Sequence, residues 1–141
     1  MKLKKIALIV AAMALVGVAS AQTQHLTKAE FLKKVDNYEA DTKWKYLGDR
    51  PCVIDFYATW CGPCKRLAPI LEELSKEYSK EIYIYKVDAE QERELAYIFG
   101  VRSYPTIVFC PMSGTPEIAL GLQPKEQLKK WIDTILLGKE K

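Results

Sequence analysis

Pro51-Cys52-Val53-Ile54-Asp55-Phe56-Tyr57-Ala58-Thr59-Trp60-Cys61-Gly62-Pro63-Cys64-Lys65 is the stretch on which the fold of this chain turns. Residues 51–57 are nearly all apolar, which suits a central strand covered on both faces. Asp55 alone breaks the run. A helix is expected from about residue 61 to 78, with Leu67, Ile70, Leu71 and Leu74 on its inner face. Pro63 lies just inside its start, where a missing N–H costs nothing. Pro69 lies well inside it and is expected to kink it.

Working outward, residues 22–26 read as a short lead-in. Thr27-Lys28-Ala29-Glu30 has the form of a capping box, and Phe31, Leu32 and Val35 then fall on one helical face. Residues 36–50 are polar and poorly periodic, and Trp44, Tyr46 and Leu47 fit either a short edge strand or a packed loop. Residues 81–87 alternate, with Ile82, Ile84 and Lys86 on one side and Tyr83, Tyr85 and Val87 on the other. Residues 91–99 read as a short helix stopped by Gly100. Residues 106–110 form a further strand, turn residues surround Gly114, and residues 118–120 suit a last strand. Pro124 opens an amphipathic helix through Leu128, Trp131, Ile132, Ile135 and Leu136. The alternation predicts an α/β sandwich with helices on both faces of one sheet.

Cys61 and Cys64, two residues apart, have three ordinary readings. Zinc ligation needs four ligands at matching spacing, but the chain's one histidine is His25 and its other cysteines, Cys52 and Cys110, stand alone. A purely structural bridge here would close only a tiny loop and stabilise little. A redox-active pair is favoured. The pair follows a buried strand and opens a helix, where unpaired N–H groups and the helix dipole favour a thiolate at Cys61. Cys64, one turn on, faces Cys61 and is expected to lie deeper, suited to resolving a mixed disulfide. An ionised Asp55 in an apolar strand is costly, so its pKa is expected to rise until it can relay a proton to or from Cys64. The plainer reading of Asp55 is a carboxylate satisfied by backbone donors. Lys86 is read as a partner of Asp55 or as an ordinary solvated lysine.

The N-terminus has the form of a targeting segment. Lys2, Lys4 and Lys5 precede an apolar run over residues 6–18, short of the roughly 20 residues that span a bilayer. Ala19-Ser20-Ala21 then offers a signal-peptidase site. Residues 1–21 are therefore read as a cleaved signal peptide rather than an uncleaved anchor, and residues 22–141 as one domain. The formal charge of +3, from 21 basic and 18 acidic residues, then falls to zero with the three lysines removed. No basic surplus is left for nucleic acid.

Several separated motifs carry a family resemblance: Asp55-Phe56-Tyr57-Ala58, Trp60 to Lys65, Pro69, Val87-Asp88, Tyr104-Pro105-Thr106, Gly114 and Gly121. Residues 51–137 resemble thioredoxin, and the segment from His25 through Phe31 resembles that family's opening. The resemblance implies a three-layer α/β/α sandwich around a central mixed sheet and a thiol–disulfide exchange activity without metal or cofactor. It implies that Cys61 attacks substrate disulfides and Cys64 resolves them, and that Asp55 and Lys86 match the family's buried pair. It further implies a cis bond before Pro105. Trp60, Gly62, Pro63, Tyr104, Pro105, Gly121 and Leu122 match the groove where an extended client peptide docks. The chain departs from the cytosolic pattern in its export segment, in Tyr57 where many members carry Trp, in Tyr104 before the proline, and in Cys52 and Cys110. If strands 51–57 and 106–110 pair antiparallel as in the family, those two cysteines lie close. Two small buried apolar residues are the favoured reading over a second disulfide.

Cys-Gly-Pro-Cys resembles the reducing members of the family, so an exported protein-disulfide reductase is expected. Its clients would be disulfide-containing exported proteins, and its electrons would come through a membrane thiol transporter. A monomer in the periplasm is expected, with true secretion the lesser reading. Two other readings remain: an oxidase or isomerase of disulfides, and a groove-binding module without turnover.

Overall fold

The computed structural model describes residues 22–140. Residues 1–21, read above as a signal peptide, lie outside the described residues. Five strands form one sheet: β1 (Gln24–His25), β2 (Cys52–Tyr57), β3 (Tyr83–Asp88), β4 (Thr106–Cys110) and β5 (Glu117–Leu120), in the order β1-β3-β2-β4-β5. β1, β3 and β2 run parallel, while β4 is antiparallel to β2 and β5 to β4. The sheet is therefore mixed. Helices α1 (Lys28–Lys34), α2 (Gly62–Glu77), α3 (Arg93–Ile98) and α4 (Lys125–Trp131) complete it.

Side chains alternate along a strand, and β2 uses this to feed two cores. Cys52, Ile54 and Phe56 join Phe31 of α1, Leu95 of α3, and Tyr85 and Val108 on one face. Val53 joins Leu67, Leu71 and Leu74 of α2, Leu128 of α4, and Ile84 and Ile107 on the other. Two residues beyond Val53, Asp55 belongs to the α2 face. Two residues beyond Ile84, Lys86 belongs to it too, and the register sets Asp55 and Lys86 side by side. The position of a single carboxylate thus follows from strand parity.

The capping box forms as expected. Thr27 accepts from the Glu30 backbone N–H, and the Glu30 carboxylate accepts from the Thr27 N–H at 3.0 Å. Gly100, at φ +64°, ends the segment after α3 in the left-handed region. α2 runs on through Pro69 to Glu77.

Several boundaries differ from the sequence reading. The lead-in contains strand β1, too short for any periodicity to reveal. Of the two readings left open for residues 36–50, the packed loop is the one found: they hold no strand, and Tyr38, Trp44 and Tyr46 pack against the α1 face. β3 starts at Tyr83 because the Ile82 N–H still bonds back to Tyr78 O. α3 starts at Arg93 because the Asp88 carboxylate first holds the Glu90 and Gln91 N–H groups in a turn. At the C-terminus α4 widens into a π-helical turn over Ile132–Leu136, in which the Leu137 N–H reaches back to Ile132 O.

Candidate functional site

The site is built where β2 ends and α2 begins. Cys61 is the N-cap of α2 in extended backbone, and its Sγ accepts from the Cys64 N–H at 3.2 Å. Orphan N–H groups at a helix start need an acceptor; here the acceptor is sulfur. Pro63 occupies the first turn without losing a bond. One helical turn brings Cys61 and Cys64 together as a disulfide, with Cα atoms 5.3 Å apart.

The expected difference in depth is not seen. Cys61 is 4% and Cys64 5% exposed. The reason is the roof over Cys61. The Tyr104–Pro105 bond is cis, and it brings the Tyr104 carbonyl oxygen within 3.5 Å of Cys61 Sγ. Tyr57 and Tyr104 pack against Ala58, Cys61 and Cys64. The Gly121 N–H bonds to Pro105 O at 2.8 Å, tying the cis turn to the end of β5, and Gly121 adopts φ +80° there.

Around this point lie the residues expected to form the groove. Trp60 is 67% exposed, and its ring meets Tyr104 edge-on at 5.9 Å between centroids. Gly62 and Leu122 are exposed, Pro63 and Gly121 half-buried, and Pro105 buried. The Trp60 indole N–H donates to the Glu90 carboxylate. Glu90 was not among the expected residues, and nothing in the sequence distinguishes it from the chain's other exposed glutamates.

Asp55 is 1% exposed, and neither of its carboxylate oxygens has a hydrogen-bond partner. The reading as a carboxylate satisfied by backbone donors is therefore corrected. Burial pushes its pKa up to about 7, against the opposing pull of Lys86. Lys86 is half-buried, and its Nζ lies 5.1 Å over the Tyr57 ring. It acts on Asp55 through its charge. The Tyr57 ring, where the family often has Trp, is also met edge-on by His25 at 6.3 Å.

Cys52 and Cys110 are free, buried and directly opposite in the β2–β4 register. Among the described residues no group of three or more His, Cys, Asp or Glu could hold a metal ion, and no helix is long and apolar enough to cross a membrane.

Comparison with known proteins gives one family. The thioredoxin family model matches residues 22–134. The thioredoxin of Borreliella burgdorferi is 46% identical over 107 residues, covering 76% of this chain and 92% of that protein. Among solved structures, a mutant thioredoxin from Halobacterium salinarum NRC-1 is 28% identical with a TM-score of 0.66, over 82% of this chain and 91% of that one. Chloroplastic thioredoxin z shares the fold at a TM-score of 0.68 and 23% identity, over 81% of this chain and 94% of that one.

Proposed function

The chain belongs to the thioredoxin family of thiol–disulfide oxidoreductases, and from that premise we propose that it is an exported protein-disulfide reductase working through Cys61 and Cys64. The observation that carries the proposal is the placement of this pair at the start of a 16-residue helix, with a buried, unpartnered carboxyl, Asp55, on the strand that leads into it.

In the reduced state, the helix N-terminus and the Cys64 N–H hold charge on Cys61 Sγ. The Cys61 thiolate attacks a client disulfide and expels one client thiolate, leaving a mixed disulfide. Asp55, poised near neutrality, takes the proton from Cys64. Cys64 Sγ then attacks Cys61 Sγ and expels the second client thiolate. Two electrons pass from the protein dithiol to the client, and the protein is left in the Cys61–Cys64 disulfide form. Lys86 keeps Asp55 from being so weak an acid that it stays protonated throughout. The client lies extended along Trp60, Gly62, Pro63, Tyr104, Pro105, Gly121 and Leu122, held by backbone hydrogen bonds beside the cis turn.

The finer reading is that residues 1–21 direct export, that the mature monomer works in the periplasm, and that a membrane thiol transporter re-reduces it. Its clients are exported proteins with disulfides. The absence of a histidine between the cysteines supports reduction rather than oxidation. The test is the reduction potential of the mature protein in glutathione and dithiothreitol buffers, read by Trp60 fluorescence. A value of about −250 mV or lower supports the reductase. A value of about −180 mV or higher, where disulfide isomerases lie, overturns it in favour of disulfide delivery or shuffling. N-terminal sequencing of the exported protein should begin at Gln22.

A further inference from the structure

A second pair of sulfurs lies at the other end of β2. Cys52 opens β2, Cys110 closes β4, and the antiparallel register sets them directly opposite. Both are 0% exposed and share the α1 face of the sheet. Direct partners on antiparallel strands have Cα atoms about 4.5–5.5 Å apart, inside the span of about 4.4–6.8 Å that disulfides take. Their side chains also point the same way, which a bridge requires. A hydrogen bond with Cys52 and burial push the Cys110 thiol well up. Tyr46, Tyr85 and Asp36 face the pair; none is a cation that would favour a thiolate.

We propose that Cys52 and Cys110 form a second dithiol–disulfide couple, closed while the chain folds in the presence of a small organic disulfide and thereafter shielded by the core. The free thiols of the structure are its reduced state. Closure proceeds by exchange. One cysteine, as thiolate, attacks the organic disulfide, forms a mixed disulfide and expels one small thiolate. The other cysteine, deprotonated, attacks the protein-side sulfur and expels the second. Two protein thiols lose two electrons, one organic disulfide gains them, and the two protons end on the released thiols. This happens before the core closes, because burial holds the Cys110 thiol well above its ordinary pKa and leaves neither cysteine within reach of a reagent. The same burial then keeps reductants out, whereas Cys61 and Cys64 lie beneath a groove open to clients. The proposal is independent of the compartment in which the protein works.

The test refolds reduced, denatured protein in a glutathione–glutathione disulfide buffer, using both the wild type and the Cys61→Ser/Cys64→Ser variant. Free thiols are counted with a maleimide after denaturation, and disulfides are located by peptide mapping without reduction. The expected result is no free thiol in either protein and a Cys52–Cys110 cross-link in both. Dithiothreitol added to native wild-type protein should then free two thiols, at Cys61 and Cys64, with the other two appearing only when denaturant is added. Two free thiols mapped to Cys52 and Cys110 after refolding overturn the couple, as does pairing of either with Cys61 or Cys64. Release of all four thiols together under native conditions overturns the shielding. Should the double variant fail to fold, the wild-type map decides alone.

Discussion

Asp55 is costly to the fold and useful to the site for the same reason. Its pKa rises from 3.8 to about 7 because the surrounding core desolvates the charge. Below pH 4 the carboxyl is neutral in both folded and unfolded chains and costs nothing. Between about pH 4 and 7 the unfolded chain loses its proton first, so this group lowers stability as pH rises, fully so above pH 7. Asp55→Asn should therefore raise Tm at pH 8 by an amount equivalent to a few kcal/mol, with little change at pH 4. Thermal melts at the two pH values check the sign, and an equal gain at both would remove the titration argument. The same variant should slow client reduction about 10- to 100-fold at pH 7, at or below the low end of general-base catalysis, because water can still take the proton. The inflection near pH 7 should vanish from its rate profile. Cys64→Ser should accumulate mixed disulfides with a model substrate through Cys61, visible on non-reducing gels; Cys61→Ser should give none. Asp55 was legible in the sequence because an ionisable group in an apolar run has few explanations. Glu90 was not, because its role comes from the Trp60 indole that folding brings to it.

Elements differ in what holds them. α1 has seven residues and relies on its cap. Thr27→Ala should cost about 1 kcal/mol. α2 is held by packing: Leu67, Leu71 and Leu74 are all 0–1% exposed. Leu74→Ala should cost about 2–5 kcal/mol, since a cavity remains beside Val53 and Ile84. Urea melts of the two variants should rank them in that order; a larger loss at Thr27 would mean that α1 contributes more than its burial indicates. The ion pairs of Lys125 with Glu73 and Glu77 join α4 to α2 at the surface, where screening leaves them little weight, so Lys125→Ala should fall below both. The long helix and the buried strand were readable because their patterns run for many residues. β1 was not, since two residues carry no period, and the π turn was not, because the 3.6-residue pattern of Ile132, Ile135 and Leu136 looks the same in an ordinary helix.

At the level of the molecule, the sheet order sets a gradient of exposure. β4 is buried along its length and β2 up to its last residue, Tyr57, and β3 packs beside β2. β1 and β5 are the edges, and Ile118 and Leu120 of β5 are 50% and 63% exposed. Amide hydrogen exchange should be slowest in β2, β3 and β4 and fastest at the two edges. Comparable protection in β5 and β2 would contradict the gradient. Local pattern gave the α/β class but not this order; the mixed sheet and the cis turn were reached through a family likeness, because nothing in periodicity says which strands become neighbours.

The alternation along β2 also limits how the strand can change. Its odd-numbered positions serve the α2 side and its even-numbered ones the α1 side. Inserting one residue before Ile54 would turn the Asp55 carboxyl toward the side of Phe31 and Leu95 and Ile54 toward the α2 side. Inserting two would restore the sides but carry Asp55 past Lys86. Length variation between Cys52 and Tyr57 is thus closed to this chain by geometry, whatever chemistry the inserted residues bring, and tolerance to insertion should be confined to the loops that precede and follow the sheet.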